Sequence, residues 1–375
     1  MACSFGVRKG DFRTLCHAER VMGLVASTAA TLREAARTGG VTVDVKAGEI
    51  EIERQGGGYH VFPKDRTHVA SDGTPLAYSV RGEGSTGTTF HLVNGWSCSD
   101  VYWAGIAPRL EASGHRVVVA DHRGHGASGL PRRPGYRARN ITRSDMSLER
   151  VAADHLEILA AEGIDGAVLV GHSMGVQVAL EAYRQAPERV SALVCIAGPY
   201  ENPIKTFYGR DEVDRVFPVA KYALHVIPRL LLPAWRLLGR QYRLGHRLAL
   251  LTRAAGPKVT ARMLAPYIEH LTSRDPLVLF KLVESMREHS ATDLLPEITS
   301  PILIVAGKQD PFTPVSVQRR MHALAPESEL IEFPEGRHTL PLEEPAAIAA
   351  AIEEFIARRL GEADAGSATA AADPA

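Results

Sequence analysis

The chain has 375 residues, more than one hydrophobic core usually supports, so we expect one large domain with accessory segments, or two domains. Its 43 basic and 43 acidic side chains cancel, which gives no global electrostatic reason to expect nucleic acid as a partner. The amino-terminal residues make a poor secretory signal, and no apolar run is long enough to cross a bilayer. Four scattered cysteines without C-x-x-C spacing are typical of free thiols in a reducing compartment. These features predict a cytoplasmic protein, soluble or peripheral to a membrane.

The first part of the chain, residues 1–60, is expected to form an N-terminal extension. Its pattern predicts a helix over 18–37 and a hairpin of two strands, 41–45 and 49–53, joined by a Lys-Ala-Gly turn. A run of three glycines at 56–58 separates this extension from the rest of the chain.

From residue 61 short apolar runs alternate with helix-length segments. The pattern opens with an antiparallel hairpin over 66–70 and 76–81. The next apolar runs suit strands buried on both faces of a parallel sheet, and they cover 89–93, 116–120, 167–170 and 192–196. Further elements are predicted as helices over 147–162, 174–185, 315–324 and 345–360 and strands over 302–306 and 329–333. This alternation predicts an α/β fold, a mostly parallel twisted sheet with helices on both faces.

A long segment, residues 200–295, interrupts the alternation. It is helical in composition and punctuated by prolines, which is typical of several short helices that form a lid. The α/β core is therefore predicted to comprise residues 61–199 and 296–360, with the helical lid inserted before the last strands. The Ala- and Gly-rich tail, residues 361–375, is predicted to be disordered.

The strongest chemical signal is Gly-His-Ser-Met-Gly at residues 171–175, which follows one predicted strand and precedes a predicted helix. A strand that turns into a helix this sharply strains the backbone at the serine, and glycines on either side relieve the crowding. The turn exposes the hydroxyl of Ser173 at the carboxyl end of the sheet and leaves the first N–H groups of the helix unpaired. We therefore predict Ser173 as a nucleophile, with the backbone N–H of Met174 as an oxyanion donor.

A serine hydroxyl needs a base within hydrogen-bond reach and a group that orients the base. His338 lies just beyond the predicted strand 329–333, in a turn after a glycine, and is the candidate base. Asp310 follows the strand 302–306 and is the candidate acid, with Glu201 as the alternative. The chain order Ser, Asp, His is the order expected for a sheet of this kind.

Residues 66–360 resemble the α/β-hydrolase family in several motifs besides the serine turn. The segment 121–128 reads D-H-R-G-H-G-A-S and resembles the family's D-x-R-G-x-G-x-S loop, and L-E-E-P at 342–345 resembles its closing L-E-x-P segment. The family usually has His-Gly after the first parallel strand, whereas this sequence has Asn94 before the glycine. Because Asn94 departs from the pattern, the hydrogen bonding that braces this loop is left open.

The resemblance implies how the predicted residues act. Ser173 would attack a carbonyl carbon with His338 as base, Asp310 would hold the imidazole tautomer, and a water activated by His338 would release the acyl group. By position, the backbone N–H of Trp96 is the second oxyanion donor. We also assign the side chains of Trp96 and His172 to substrate binding, with a place in the core as the alternative for Trp96. No cofactor is needed, and no metal site is expected because the chain has no zinc or Walker signature.

The lid carries a local excess of positive charge. Twelve Lys and Arg residues fall between 205 and 262, against three acidic residues, and bulky apolar residues lie between them. Such helices can cover an apolar substrate channel or lie on an anionic membrane surface. The alternative is that their apolar faces pack on the body of the protein while the arginines are solvated.

These observations predict a serine hydrolase that cleaves a carboxylic ester of a moderately apolar small molecule through an acyl-enzyme on Ser173. The same three residues serve thioester, lactone and carbon–carbon bond cleavage, which remain alternatives. A relative without activity that binds a small apolar ligand is the alternative from another class.

Overall fold

The computed structural model describes residues 41–46, 49–54, 60–131, 140–209, 214 and 241–370. The helix predicted over 18–37 and most of the basic part of the lid lie outside these residues. In the N-terminal part, β1 (Val41–Lys46) and β2 (Glu49–Arg54) pair antiparallel in a two-stranded sheet of their own, with Lys46 opposite Glu49.

The main sheet has eight strands in the spatial order β10-β9-β8-β7-β5-β6-β4-β3. The antiparallel edge consists of β3 (Arg66–Val69) and β4 (Pro75–Arg81), and β4 also runs antiparallel to β6. All other neighbours are parallel. These strands are β5 (Thr89–Val93), β6 (Arg116–Ala120), β7 (Ala167–His172), β8 (Val190–Ile196), β9 (Ile302–Gly307) and β10 (Ser328–Phe333). The predicted fold class, a mostly parallel α/β sheet, is confirmed.

The central strands are apolar on both sides because helices cover both faces of the sheet. Alternate residues of β7 show this, since Leu169 belongs to one buried cluster and Val168 and Val170 belong to the other. The Leu169 side is covered by α2 (Leu148–Ala161), α3 (Met174–Gln185) and α7 (Val315–Leu324), and the opposite side by α1 (Ala107–Ala112) and α9 (Pro345–Ala370).

The closing helix α9 is longer than the sequence pattern predicts. The tail was expected to be disordered from residue 361, yet the helical backbone continues to Ala370. Eight of the ten residues from 361 to 370 are other than glycine, and alanine, the strongest helix former, is the commonest among them. Composition that is too polar for a core does not prevent continuation of a helix that has already been nucleated.

Between β8 and β9 lies the segment predicted as a lid. Its described part contains α4 (Tyr242–Leu251), α5 (Ala261–Ser273) and α6 (Pro276–Glu288). Outside this segment, the short α8 (Leu340–Glu343) lies between β10 and α9. The caps of α5 and α6 are formed by Thr260 and Asp275, whose side chains accept from the backbone N–H groups of Met263 and Leu277. Within the described part of the chain, no helix combines the length and apolarity needed to cross a membrane.

Candidate active site

Ser173 lies in the turn between β7 and α3, at the carboxyl end of the sheet. Its backbone has φ 54° and ψ −123°, a region that residues with a side chain rarely adopt. A Cβ atom on Gly171 would overlap the backbone of Gly175, and one on Gly175 would overlap the carbonyl oxygen of Val93. The two glycines of the motif are therefore required by the close approach of strand and helix.

His338 and Asp310 meet Ser173 at this edge of the sheet. The Nε2 atom of His338 is 3.0 Å from Ser173 Oγ, and its Nδ1 atom is 2.9 Å from Asp310 Oδ2. Because an ionised carboxylate only accepts hydrogen bonds, Nδ1 carries the imidazole proton and Nε2 is free to accept from the serine hydroxyl. The structure thus brings together the three side chains that the sequence singled out, and Asp310 rather than Glu201 contacts the imidazole.

The carboxylate of Asp310 is buried and held from three directions. Its Oδ1 atom accepts from the backbone N–H groups of Phe312 at 2.8 Å and Thr313 at 3.1 Å. The hydroxyl of Thr313 lies 2.6 Å from Oδ2 and 2.8 Å from the carbonyl oxygen of Ala197 on the neighbouring strand end. These contacts fix the carboxylate and orient the ring of His338.

The backbone N–H groups of Trp96 and Met174 lie beside Ser173, the first in the loop after β5 and the second directly after Ser173 in the chain. Among the described residues, neither group donates a backbone hydrogen bond, and Met174 is the first residue of α3. A Cβ atom on Gly95 would lie 3.1 Å from the Cβ of Ser173, so the loop that carries Trp96 passes directly beside the serine. Both N–H groups are thus available to an oxygen atom bound next to Ser173.

Asn94 braces this loop at the position where the α/β-hydrolase pattern described in the sequence analysis has histidine. Its Nδ2 donates to the carbonyl oxygen of Ala120 at 3.1 Å, and its Oδ1 accepts from Trp103 Nε1 at 2.7 Å. Both ends of the amide are therefore satisfied in a fully buried position, which resolves the question that the sequence left open.

A cavity of about 260 Å³ opens over Ser173 and His338. None of its described lining residues is Lys, Arg, Asp or Glu, and its walls are built mainly from Trp96, Tyr102, Pro199, Ile204, Phe207, Ala249, Leu264, Tyr267, Val283, Met286 and Phe312. The indole of Trp96 is a wall of this cavity, and its Nε1 donates to the carbonyl oxygen of Leu279 at 2.8 Å. Burial raises the pKa of Cys98, which also lines the cavity, to about 12, so its thiol stays protonated beside the serine.

The prediction that His172 binds substrate is wrong. Its side chain is fully buried and is not among the lining residues, because the strand direction turns it beneath the cavity. Its ring stacks on Tyr102, with centroids 4.7 Å apart, and its Nε2 donates to the backbone carbonyl of His338 at 2.8 Å. Burial lowers the pKa of His172 to about 3, so it supports His338 as a neutral ring.

Sequence reasoning missed the residues that close the cavity from the inserted segment. Ala249, Leu264, Tyr267, Val283 and Met286 come from α4, α5 and α6, and nothing in their local pattern distinguishes a cavity wall from a packed helix face. Among the residues that the structure describes, no group of three or more His, Cys, Asp or Glu side chains is arranged to hold a metal ion.

Comparison with known proteins agrees with this architecture. A family model described as the alpha/beta hydrolase fold matches residues 88–345, more than half of the chain. A protein of Caulobacter sp. (strain K31) named "Putative carbamate hydrolase RutD" is 27% identical over 281 residues, 73% of this chain and 92% of that protein. "Uncharacterized hydrolase YugF" of Bacillus subtilis (strain 168) is 26% identical over 274 residues, 72% of this chain and 89% of that protein.

Solved structures give the same fold. An esterase from Exiguobacterium antarcticum has a TM-score of 0.59 at 21% identity and covers 77% of this chain and 98% of its own. The enol-lactonase from Burkholderia xenovorans LB400 has a TM-score of 0.58 at 19% identity and covers 78% of this chain and all of its own. The chain belongs to the α/β-hydrolase fold family. It is a hydrolase.

Proposed function

We propose that this protein is a serine esterase that hydrolyses a carboxylic ester of an uncharged, apolar small molecule through an acyl-enzyme on Ser173. The observation that carries the proposal is the continuous hydrogen-bonded series from Ser173 Oγ through His338 to Asp310, at 3.0 and 2.9 Å. A serine held in this way is the nucleophile that acyl transfer needs.

In the first half of the reaction, Ser173 Oγ attacks the ester carbonyl carbon while His338 Nε2 takes the hydroxyl proton. Negative charge then collects on the former carbonyl oxygen, which the N–H groups of Trp96 and Met174 stabilise. His338 returns the proton to the leaving alcohol as the carbon–oxygen bond breaks, which leaves the acyl group on Ser173.

In the second half, water replaces the alcohol. His338 Nε2 takes a proton from this water as its oxygen attacks the acyl carbon, and the same two N–H groups stabilise the second oxyanion. The proton then passes to Ser173 Oγ and the carboxylic acid leaves. Asp310 holds the Nδ1–H tautomer through both halves and stabilises the transient imidazolium.

The cavity supports an uncharged substrate. A charged group placed among these apolar walls would lose its hydration without gaining an ionic partner among the described lining residues, which is unfavourable. A water molecule occupies about 30 Å³ in the liquid, so the cavity of about 260 Å³ has room for roughly eight groups of that size, and we expect acyl chains of about four to eight carbons to fit best.

The name of the RutD relative raises carbamate hydrolysis as the competing reaction, since a carbamate carbonyl is open to attack by the same serine. The apolar walls favour the ester, because a small carbamate would leave most of the apolar surface without a contact. Lactones and thioesters remain within reach of the same groups.

Two measurements test the proposal. A fluorophosphonate probe should label the wild-type protein and leave Ser173→Ala unlabelled, while Ser144→Ala, an exposed serine far along the chain from the turn, labels normally. A series of p-nitrophenyl esters from acetate to palmitate, assayed beside phenyl carbamates, should give its highest kcat/KM with the chains of intermediate length. An absence of labelling in the wild type contradicts the hydrolytic role of Ser173, and faster turnover of carbamates contradicts the ester assignment.

A further inference from the structure

Two buried histidines form hydrogen bonds to the loop that carries the Trp96 N–H group. His122 Nε2 lies 2.7 Å from the carbonyl oxygen of Asn94, and His270 Nδ1 lies 2.9 Å from the carbonyl oxygen of Ser97. A carbonyl oxygen can only accept, so both imidazole nitrogens carry a hydrogen. The two bonds fall on either side of the Gly95–Trp96 pair and come from different parts of the fold.

The tautomer of His122 is fixed by a row of buried imidazoles. Since its Nε2 donates, the Nδ1 atom of neutral His122 must accept, and His155 Nε2 lies 2.8 Å from it. By the same reasoning His155 Nδ1 accepts from His91 Nε2 at 2.6 Å. All three rings thus donate in one direction, from β5 through α2 to the loop, and each donated bond polarises the next.

His270 is fixed by a different contact. Its Nε2 accepts from the backbone N–H of Gly126 at 2.8 Å, so the ring is neutral with its hydrogen on Nδ1. Burial lowers the pKa of His270 to about 4 and also lowers the pKa of His122, which keeps both rings in the neutral form that these bonds require.

The loop itself needs outside support. Ser97 has φ 55°, an unfavourable backbone angle for a residue with a side chain, and such a conformation persists only where the surroundings hold it. His270 belongs to α5 and Leu279, which accepts from the Trp96 indole, belongs to α6. Two helices of the inserted segment therefore bond to the loop, α5 through a buried hydrogen bond and α6 through a partly buried one.

We infer that His122 and His270 are positioning residues that set the direction of the Trp96 N–H group toward the oxyanion. The inference rests on the proposed function, because it assumes that this N–H stabilises charge in the reaction. Neither imidazole lines the cavity, so each acts only through the loop. It follows that α5, inserted between β8 and β9, contributes to the rate of the chemical step as well as to the cavity wall.

The test compares variants that keep the donor with variants that remove it. His270→Leu and His122→Leu lose the bond, whereas His270→Asn places an amide N–H near the position of Nδ1 and His122→Gln places one near Nε2. We expect each leucine variant to lower kcat by about tenfold to a hundredfold with KM changed less than about threefold, and the amide variants to recover most of the loss.

His289→Phe is the matched control. It removes another buried histidine, which lies near Glu181 and Gln177 and outside the cavity lining, so it carries a similar folding cost without touching the loop. The affinity for a trifluoromethyl ketone, whose adduct with the serine carries an oxyanion, should fall in the leucine variants by the same factor as kcat/KM. If either leucine variant fails to fold, the phenylalanine replacement of the same residue is measured in its place.

The outcomes separate the two claims. Labelling of the wild type by the fluorophosphonate probe together with a kcat in the leucine variants that equals that of His289→Phe would overturn the positioning role and leave the esterase assignment standing. A change confined to KM would also overturn it, since a misdirected oxyanion donor acts on the transition state. An unlabelled wild type overturns the proposed function itself.

Discussion

The Nε2 atom of His338 lies 3.0 Å from the Oγ atom of Ser173, although 165 positions separate the two residues in the chain. The contact exists because β7 and β10 are parallel strands of one sheet, whose carboxyl ends meet at the same edge. Each residue follows the end of its strand, and the order of the strands places the carboxylate of Asp310 behind the imidazole.

Replacement of Asp310 tests how the imidazole is oriented. We expect Asp310→Asn to lower kcat by about 10⁴-fold, because an amide can donate to Nδ1 and so hold the wrong tautomer. Steady-state kinetics on the best p-nitrophenyl ester measure the effect. Asp165→Asn, at an exposed carboxylate, is the matched control and should keep full activity. A loss below about tenfold in Asp310→Asn would contradict the assigned role.

The glycines of the serine turn give a prediction for stability. Gly175→Ala brings a Cβ atom against the carbonyl oxygens of Val93 and Asn94, which are backbone atoms and cannot swing away. We expect a loss of about 1–3 kcal/mol in the free energy of unfolding and a large loss of activity. Urea unfolding of the variant measures the loss in the free energy of unfolding. At Gly361, where an added Cβ meets nothing within 4 Å, the same change should be neutral or slightly stabilising.

Buried neutral histidines predict how stability depends on pH. Burial lowers the pKa of His91 and His172 to about 3 and that of His270 to about 4, whereas the unfolded chain has histidine values near 6.5. As the pH falls from about 6.5 to about 4, the unfolded state binds protons that the folded state does not, so stability falls by about 1.4 kcal/mol per pH unit for each such residue. Above about pH 6.5 these histidines are neutral in both states, so they do not make the free energy of unfolding depend on pH.

Urea midpoints measured from pH 7.5 down to pH 5 check this expectation. His91→Phe should be less stable at neutral pH but show a shallower decline with acid, because one proton fewer is taken up on unfolding. Midpoints that are equal at pH 7.5 and pH 5 in the wild type would rule out the neutral buried forms of these rings.

Ala249 offers a test of the cavity wall that α4 contributes. Its side chain faces the cavity, so Ala249→Phe should occupy part of the volume and move the preference toward shorter acyl chains. We expect kcat/KM for octanoate to fall by about tenfold or more relative to acetate, since each excluded methylene forfeits roughly 1–3 kcal/mol of binding. Leu248→Phe, on the exposed side of the same helix, should leave the ratio unchanged. If the ratio of kcat/KM for octanoate to kcat/KM for acetate is unchanged in Ala249→Phe, α4 does not contact the acyl chain.

The sequence raised the hypothesis that helices of the inserted segment lie on an anionic membrane surface, and the exposed side of α4 is the part of the described chain that suits such a contact. Leu244, Leu248 and Leu251 are exposed at positions i, i+4 and i+7, and Leu251 is 80% exposed. Arg243 and Arg247 are exposed beside them. Such a stripe suits the surface of an anionic bilayer.

Flotation with vesicles of neutral and anionic lipid measures this contact. We expect binding to anionic vesicles that weakens when the three leucines are changed to serine and when salt is raised. Equal absence from both kinds of vesicle would leave the stripe as a merely exposed helix face.

Much of the fold was predictable because its signals are local. The apolar runs of β5 to β9 and the bounds of α3 and α7 follow from periodicity along a few residues, and the turn at Ser173 follows from the glycines that a tight strand-to-helix connection demands. The end of α9 was not predictable in this way, because a helix that has already been nucleated continues through residues with no apolar periodicity, here to Ala370.

The finer features of the site were decided only by the tertiary structure. Sequence placed both Asp310 and Glu201 after strand ends, and strand order alone puts Asp310 against His338. His172 sits beside the nucleophile in sequence, yet the alternation of side chains along β7 turns it under the cavity. The row of imidazoles that reaches Asn94 joins β5, α2 and the loop after β6 through space. The chain by itself therefore determined the sharp turn at Ser173, because steric limits act between neighbouring residues, whereas the partners of each polar group depended on contacts between distant segments that only the packed fold creates.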